Sequence, residues 1–115
     1  MIDNFLTRVQ SQPETISFEE TISIIETHYQ YHPASFTNGE QVNAEGENAG
    51  SCKIFYFAQL HGLSEKQTLH LFGDYYRKDV LENPNNEDHS NIRNFLANGW
   101  AGVRFQQPSL IKKPQ

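Results

Sequence analysis

The chain has 115 residues, a formal net charge of -5 at pH 7, and 37% hydrophobic residues, with eight Phe, five Tyr and a single Cys. That length suits one domain whose core needs no covalent staples, and the aromatic content excludes wholesale disorder. The acidity argues against binding duplex nucleic acid by phosphate neutralisation, one Cys excludes an intrachain disulfide and points to a reducing cytoplasm, and no run approaches the roughly 20 apolar residues of a membrane helix.

Ile2, Phe5, Leu6 and Val9 recur at helical spacing, which predicts a first helix ending near Pro13. Ser17 followed by Glu20 reads as a capping box opening a second helix. Phe18, Ile22, Ile25 and Tyr29 lie on one face of it, and it must stop before Pro33. From Pro33 to Gly50 periodicity is lost. Asn38-Gly39 signals a tight turn and a small hairpin, and Asn43, Gly46 and Asn48 tolerate positive φ, so a long ordered Asn/Gly-rich loop is expected. A helix resumes at Ser51. Its run Ile54-Phe55-Tyr56-Phe57-Ala58 is apolar on nearly every side, as a buried central helix is, and Gly62 ends it.

Ser64 with Gln67 is a second capping box, opening a long helix with Leu69, Phe72, Tyr76 and Val80 in one stripe. Pro84-Asn85-Asn86 marks a loop. Asp88 or Ser90 then caps a short last helix bearing Ile92, Phe95 and Leu96, which Gly99 terminates. Trp100 to Phe105 reads as extended and able to pair with Ser35-Phe36-Thr37, and residues 108–115 read as a flexible tail. The elements sum to a mainly α fold. One compact domain over residues 1–107 holds four to five helices, the long loop and room for a short β-ribbon. Phe18, Ile22, Ile25, Ile54, Phe55, Phe72, Tyr76 and Phe95 are expected to line its core.

Several strings are specific enough to carry a resemblance. They are Tyr31-x-Pro33, Phe36-Thr37-Asn38-Gly39, Asn48-x-Gly50-Ser51-Cys52-Lys53, Phe72-Gly73-x-Tyr75-Tyr76-Arg77, Asp88-His89-x-Asn91-Ile92-Arg93-Asn94-Phe95 and Gly99-Trp100. In that order, over roughly residues 5 to 106, the chain resembles the HopJ-type family, named for a type III secretion effector of plant-pathogenic bacteria. The resemblance implies a secretion route and no established reaction. Type III cargo carries a flexible leader, whereas a helical pattern here begins at Ile2, so a cytoplasmic protein with little exportable leader is expected.

Three kinds of chemistry compete. Cys52 falls in the first turn of a helix, where amide dipoles favour a thiolate. With His89 as base and Asp88 as orienting acid it would make a cysteine-dependent hydrolase of papain-like layout, Asn48 helping to hold an oxyanion. The competing reading is a small buried core cysteine. His70 and Asp74, four apart on the long helix, could join Asp88 and His89 as nitrogen and oxygen metal ligands, although a solvated helix face has the same spacing. No metal ligand and no cofactor is assigned on that basis. The third kind is a binding face drawn from Asn38, Gly39, Asn48, Tyr75, Arg77, Asn91, Arg93 and Trp100, which together offer aromatic walls and a few polar groups. Because no complete catalytic set emerges, the expected function is a small binding or interaction module. Hydrolase and metal-binding protein stand as alternatives. The expected partner is a protein or a small-molecule ligand, and the expected state is a monomer or weak dimer.

Overall fold

The structure is a computed structural model and describes residues 2–114. In it α1 (Ile2–Ser11) and a single 3-10 turn (Pro13–Thr15) precede α2 (Phe18–His28). The chain runs straight from α2 into strand β1 (Tyr29–Tyr31), then forms β2 (Phe36–Asn38) and β3 (Gln41–Asn43). Helix α3 (Ala49–Leu60) and α4 (Glu65–His70) lead to a π-helical turn (Tyr75–Val80) and α5 (Ser90–Asn98). A 3-10 turn (Gly99–Gly102) and strands β4 (Val103–Phe105) and β5 (Leu110–Lys112) close the chain.

The expectation of a mainly α fold is overturned. The chain is 55% helix and 13% strand, with five strands in two small antiparallel sheets, a mixed α/β architecture. One sheet has the order β3-β2-β4, with Phe36 opposite both Asn43 and Phe105. The pairing of Val103–Phe105 with Phe36–Asn38 follows the sequence reading, as does the hairpin, but the first half of the segment expected to be extended lies in the Gly99–Gly102 3-10 turn. The hairpin's two-residue loop is Gly39-Glu40, with Gly39 at φ +63, one position later than Asn38-Gly39 suggested. The other sheet, β1 with β5, pairs Gln30 with Ile111. It was not foreseen, because its two three-residue strands stabilise each other across some eighty residues and neither has a pattern of its own. It also corrects the flexible-tail reading: Ser109 and Leu110 are buried, and the Ser109 carbonyl accepts from the His32 amide at 2.7 Å.

Helix α3 is the buried axis of the molecule. Cys52, Ile54, Phe55, Phe57 and Ala58 have essentially no exposure. The Phe55 ring meets Phe95 at 4.9 Å, Phe72 at 5.4 Å and Phe36 at 6.2 Å between centroids, in the tilted and edge-on geometries that aromatic quadrupoles prefer. Phe57 faces Phe5 and Tyr29 on the other side. Of the expected core, Ile25, Ile54, Phe55, Phe72, Tyr76 and Phe95 are buried, while Phe18 and Ile22 are only partly so.

The expected long helix after Ser64 is two elements. The Ser64–Gln67 capping box is complete, with bonds of 3.1 and 2.9 Å. Helix α4 then stops, and Gly73 takes φ +63 before the π-helical turn starts. A Cβ on Gly73 would lie 2.6 Å from the Phe18 amide nitrogen, so the break lets this backbone press against the start of α2. At that start Ser17 accepts from the Glu20 amide at 3.0 Å, but the reciprocal half of the box is missing, because the Glu20 carboxylate pairs with Arg8.

Candidate functional site

Helices α3 and α5 begin in an uncommon way. Their N-cap residues, Asn48 and His89, have left-handed backbones with φ of 51° and 52°, and neither helix receives a side-chain cap. An N-cap residue is ordinarily extended, so that its own side chain can reach the first-turn amides. Asn and His tolerate the left-handed region better than most residues, and such conformations gather at functional sites. The first-turn amides of both helices therefore stay uncapped by side chains, and they carry the positive end of each helix dipole.

The two starts flank one groove of about 340 Å³. Gly50 and Ser51 line it from α3, and His89, Ser90 and Asn91 line it from α5. Phe18, Phe72 and Tyr75 supply aromatic walls. Tyr75 is 39% exposed, packs edge-on to Phe18 at 5.0 Å, and lies 5.1 Å from the His89 ring on its other side.

A set of asparagines locks the two helix starts together. Asn48 Nδ2 donates to Asn43 Oδ1 at 2.6 Å, Asn91 Nδ2 donates to the same oxygen at 3.0 Å, and Asn43 Nδ2 donates to Asn91 Oδ1 at 3.2 Å. Asn38 Nδ2 adds bonds to the Asn91 carbonyl at 2.7 Å and to its Oδ1 at 3.0 Å. Asn38, Asn43 and Asn91 are buried, so these bonds satisfy amide groups that would otherwise be costly in the core, all but Asn38 Oδ1, which is buried with no partner among the described residues. The β2–β3 hairpin thus positions the two helix starts that line the groove.

The loop before α5 is held by Arg93. Its guanidinium donates to the carbonyls of Asp88 at 2.6 Å and Asn83 at 2.9 Å, and to Asp88 Oδ1 at 2.7 Å. That bond from Arg93 keeps the Asp88 carboxyl below the ordinary carboxylate range. His89 Nε2 lies 3.0 Å from Asp79 Oδ2 and 3.8 Å from Asp88 Oδ2, so Asp79 orients the ring.

The cysteine-hydrolase arrangement is not assembled. The segments around Cys52 and His89 do meet at the groove, but through Gly50 and Ser51, while the Cys52 side chain turns the opposite way and is fully buried. Its Sγ lies 3.1 Å from Ser109 Oγ, and burial pushes the thiol pKa up, the reverse of an activated nucleophile. Asp88 serves Arg93 rather than a catalytic His. The metal set also disperses. His70 and Asp74 are separated by the Gly73 break, Arg77 bonds His70 Nδ1 at 3.1 Å, and among the described residues no three His, Cys, Asp or Glu side chains gather as ligands.

Of the expected binding face, Asn48, Tyr75 and Asn91 line the groove, whereas Asn38 and Arg93 support it from behind. Arg77 stands in a neighbouring cleft with its guanidinium turned onto the Pro13 and Ile16 carbonyls. Gly39 is a turn residue whose amide donates to the Gly102 carbonyl at 3.0 Å. Trp100 plugs the core, 4.9 Å from Phe95, with its indole N–H on the Leu63 carbonyl at 3.1 Å. Sequence reasoning missed Ser51, Ser90, Phe18 and Phe72 as groove residues and Asn43 as their organiser. The Gly50-Ser51 pair at a helix start was the available signal, and an isolated Asn in a loop offers none.

Comparison with known proteins places these features in a family context. The model of the HopJ type III effector protein family matches residues 2–110. The chain is also similar to a crystal structure of a protein of unknown function, VPA0580. The two are 48% identical with a TM-score of 0.97, covering 98% of this chain and 94% of that one. No curated protein matches.

Proposed function

Because the chain belongs to the HopJ type III effector family, and the solved structure it resembles is described as of unknown function, we propose its function from the groove alone: it is a binding module that takes a small ligand or a peptide between the first turns of α3 and α5. The observation that carries this reading is the convergence of segments forty residues apart, Gly50-Ser51 and His89-Ser90-Asn91, on one aromatic-walled groove with uncapped amides. Pockets of this kind fix a ligand by apolar contact and orient it with a few polar groups. The amides and dipole ends favour a carbonyl or acidic group at this end, and Tyr75 offers its exposed ring beside it.

The same proposal places the working protein in the cytoplasm, supported by a single unpaired and buried cysteine. Cell fractionation tests that part. No helix among the described residues is long and apolar enough to cross a membrane.

Titration of isotopically labelled protein with benzoate and with a short acetylated peptide, followed by amide NMR shifts, tests the groove. Saturable shifts at Ser51, Ser90 and Asn91 are expected, and they should vanish in Ser51→Phe, which fills the groove. If both probes leave those amides unmoved, the reading is wrong.

A further inference from the structure

A second cleft, also of about 340 Å³, adjoins the first. The two share Phe18, Phe72 and Tyr75, so they abut across these rings, an aromatic saddle between the two halves of a trough. Their far ends differ in chemistry. The first end is lined by the starts of α3 and α5, which receive no side-chain cap. The second is bounded by Glu19 and Asp74, both exposed. Arg77 also borders it, but that guanidinium is committed to the Pro13 and Ile16 carbonyls and to His70 Nδ1. Asp74 meets cations only at long range, with Arg77 Nε at 4.0 Å and Lys78 Nζ at 3.9 Å. At 67% side-chain exposure its carboxylate keeps room for another donor. Glu19 is in no ion pair among the described residues.

We infer that the occupant of this trough is an extended peptide segment, with a Lys or Arg side chain at Glu19 and Asp74, an apolar side chain over Phe18 and Tyr75, and a backbone carbonyl or carboxylate at the first turns of α3 and α5. The inference rests on the binding reading above and adds the second cleft to it. An extended chain suits the trough because its side chains alternate in direction along the backbone. It can therefore drop a cation into one cleft and an apolar group onto the saddle while its carbonyls run toward the amides. A small molecule confined to one cleft would leave the exposed carboxylates unused. Charge complementarity favours a cationic side chain at this end, because Glu19 and Asp74, two of the acidic residues behind the formal net charge of -5, line the second cleft together.

The test uses an acetylated Lys-Ala-Leu-Ala peptide with a free carboxylate, the same peptide with norleucine in place of Lys, and benzoate, each titrated into the full chain by amide NMR. The Lys peptide is expected to shift amides at both ends, near Ser51 and Asn91 and near Glu19 and Tyr75. The norleucine peptide should bind about threefold more weakly, as for loss of an exposed ion pair. The Glu19→Gln/Asp74→Asn protein should lose the preference for Lys while still binding benzoate. Shifts confined to the α3 and α5 end, or equal affinity for the two peptides, would overturn the extended-peptide inference and leave the groove reading standing. No shifts with any probe would overturn both.

Discussion

Asn43 shows how much one residue can carry. Its side-chain oxygen accepts from Asn48 and Asn91, and its amide donates back to Asn91, so it holds β3, the start of α3 and the start of α5 in one unit. Asn43→Ala removes these partners and leaves a buried Asn91 amide unsatisfied, which costs about 1–3 kcal/mol per group. A loss of about 2–3 kcal/mol in urea unfolding is expected for that reason, with amide shifts at Ser51 and Ser90 showing that the groove has moved. A surface-like loss below about 0.5 kcal/mol would mean that the network is not what organises the helix starts. Gly73 makes a comparable point through its backbone. At φ +63, with a would-be Cβ 2.6 Å from the Phe18 amide nitrogen, it has both a conformational and a steric reason to be glycine. Gly73→Ala is expected to cost about 1–3 kcal/mol. Its effect should be concentrated on α2 and the Tyr75 wall, visible as faster hydrogen exchange there than in α3.

At the scale of elements, β5 is the least legible and among the most consequential. Leu110 is buried, Ser109 seals Cys52, and Lys113 reaches back to the Glu26 carbonyl at 2.8 Å and the His28 carbonyl at 3.0 Å. Leu110→Ala is expected to destabilise the fold by about 2–5 kcal/mol, the usual cost of a core Leu cavity. Deleting residues 108–115 should unmask the thiol. In the intact chain Cys52 should resist iodoacetamide until the protein unfolds, because the thiol is buried and its pKa is raised. In the truncated chain it should react under native conditions while far-UV circular dichroism still reports α3. A thiol equally protected after truncation would show that α3 and Ala34 bury it without the strand.

For the whole molecule, pH adds a test of how the aromatic core treats its histidines. Burial lowers the pKa of His61, which also faces Lys112, and lowers that of His70, which faces Arg77. A His with a depressed folded-state pKa is protonated first in the unfolded chain. Its contribution is therefore complete above the unfolded value of about 6.5 and declines as pH falls below it, until the folded-state groups also protonate. Stability is expected to fall between about pH 6.5 and pH 5, and the slope should shrink in His61→Gln/His70→Gln. Asp88, with a lowered carboxyl pKa, acts in a more acid window. Its stabilising pair with Arg93 is present above the unfolded carboxylate pKa and is lost as pH falls through the folded one.

The sequence by itself determined the elements whose signals are local. The apolar run Ile54 to Ala58 read as a buried central helix and is one, Ser64 with Gln67 built the capping box it promised, and Gly39, Gly62 and Gly99 took the positive φ that turns and helix ends require. The motif strings were long enough to identify the family. Only the tertiary structure decided what depends on partners distant in the chain. The β1–β5 pair, the inward turn of Cys52, the Asn network and the meeting of the α3 and α5 starts each join segments tens of residues apart. Their stability comes from hydrogen bonds and burial between segments rather than from the propensity of either one. Phe18 makes the distinction concrete. Its spacing marks it as apolar and inward, yet which neighbour it meets, and therefore whether it fills a core or walls a groove, is settled by the packing of Tyr75 and Phe72 around it.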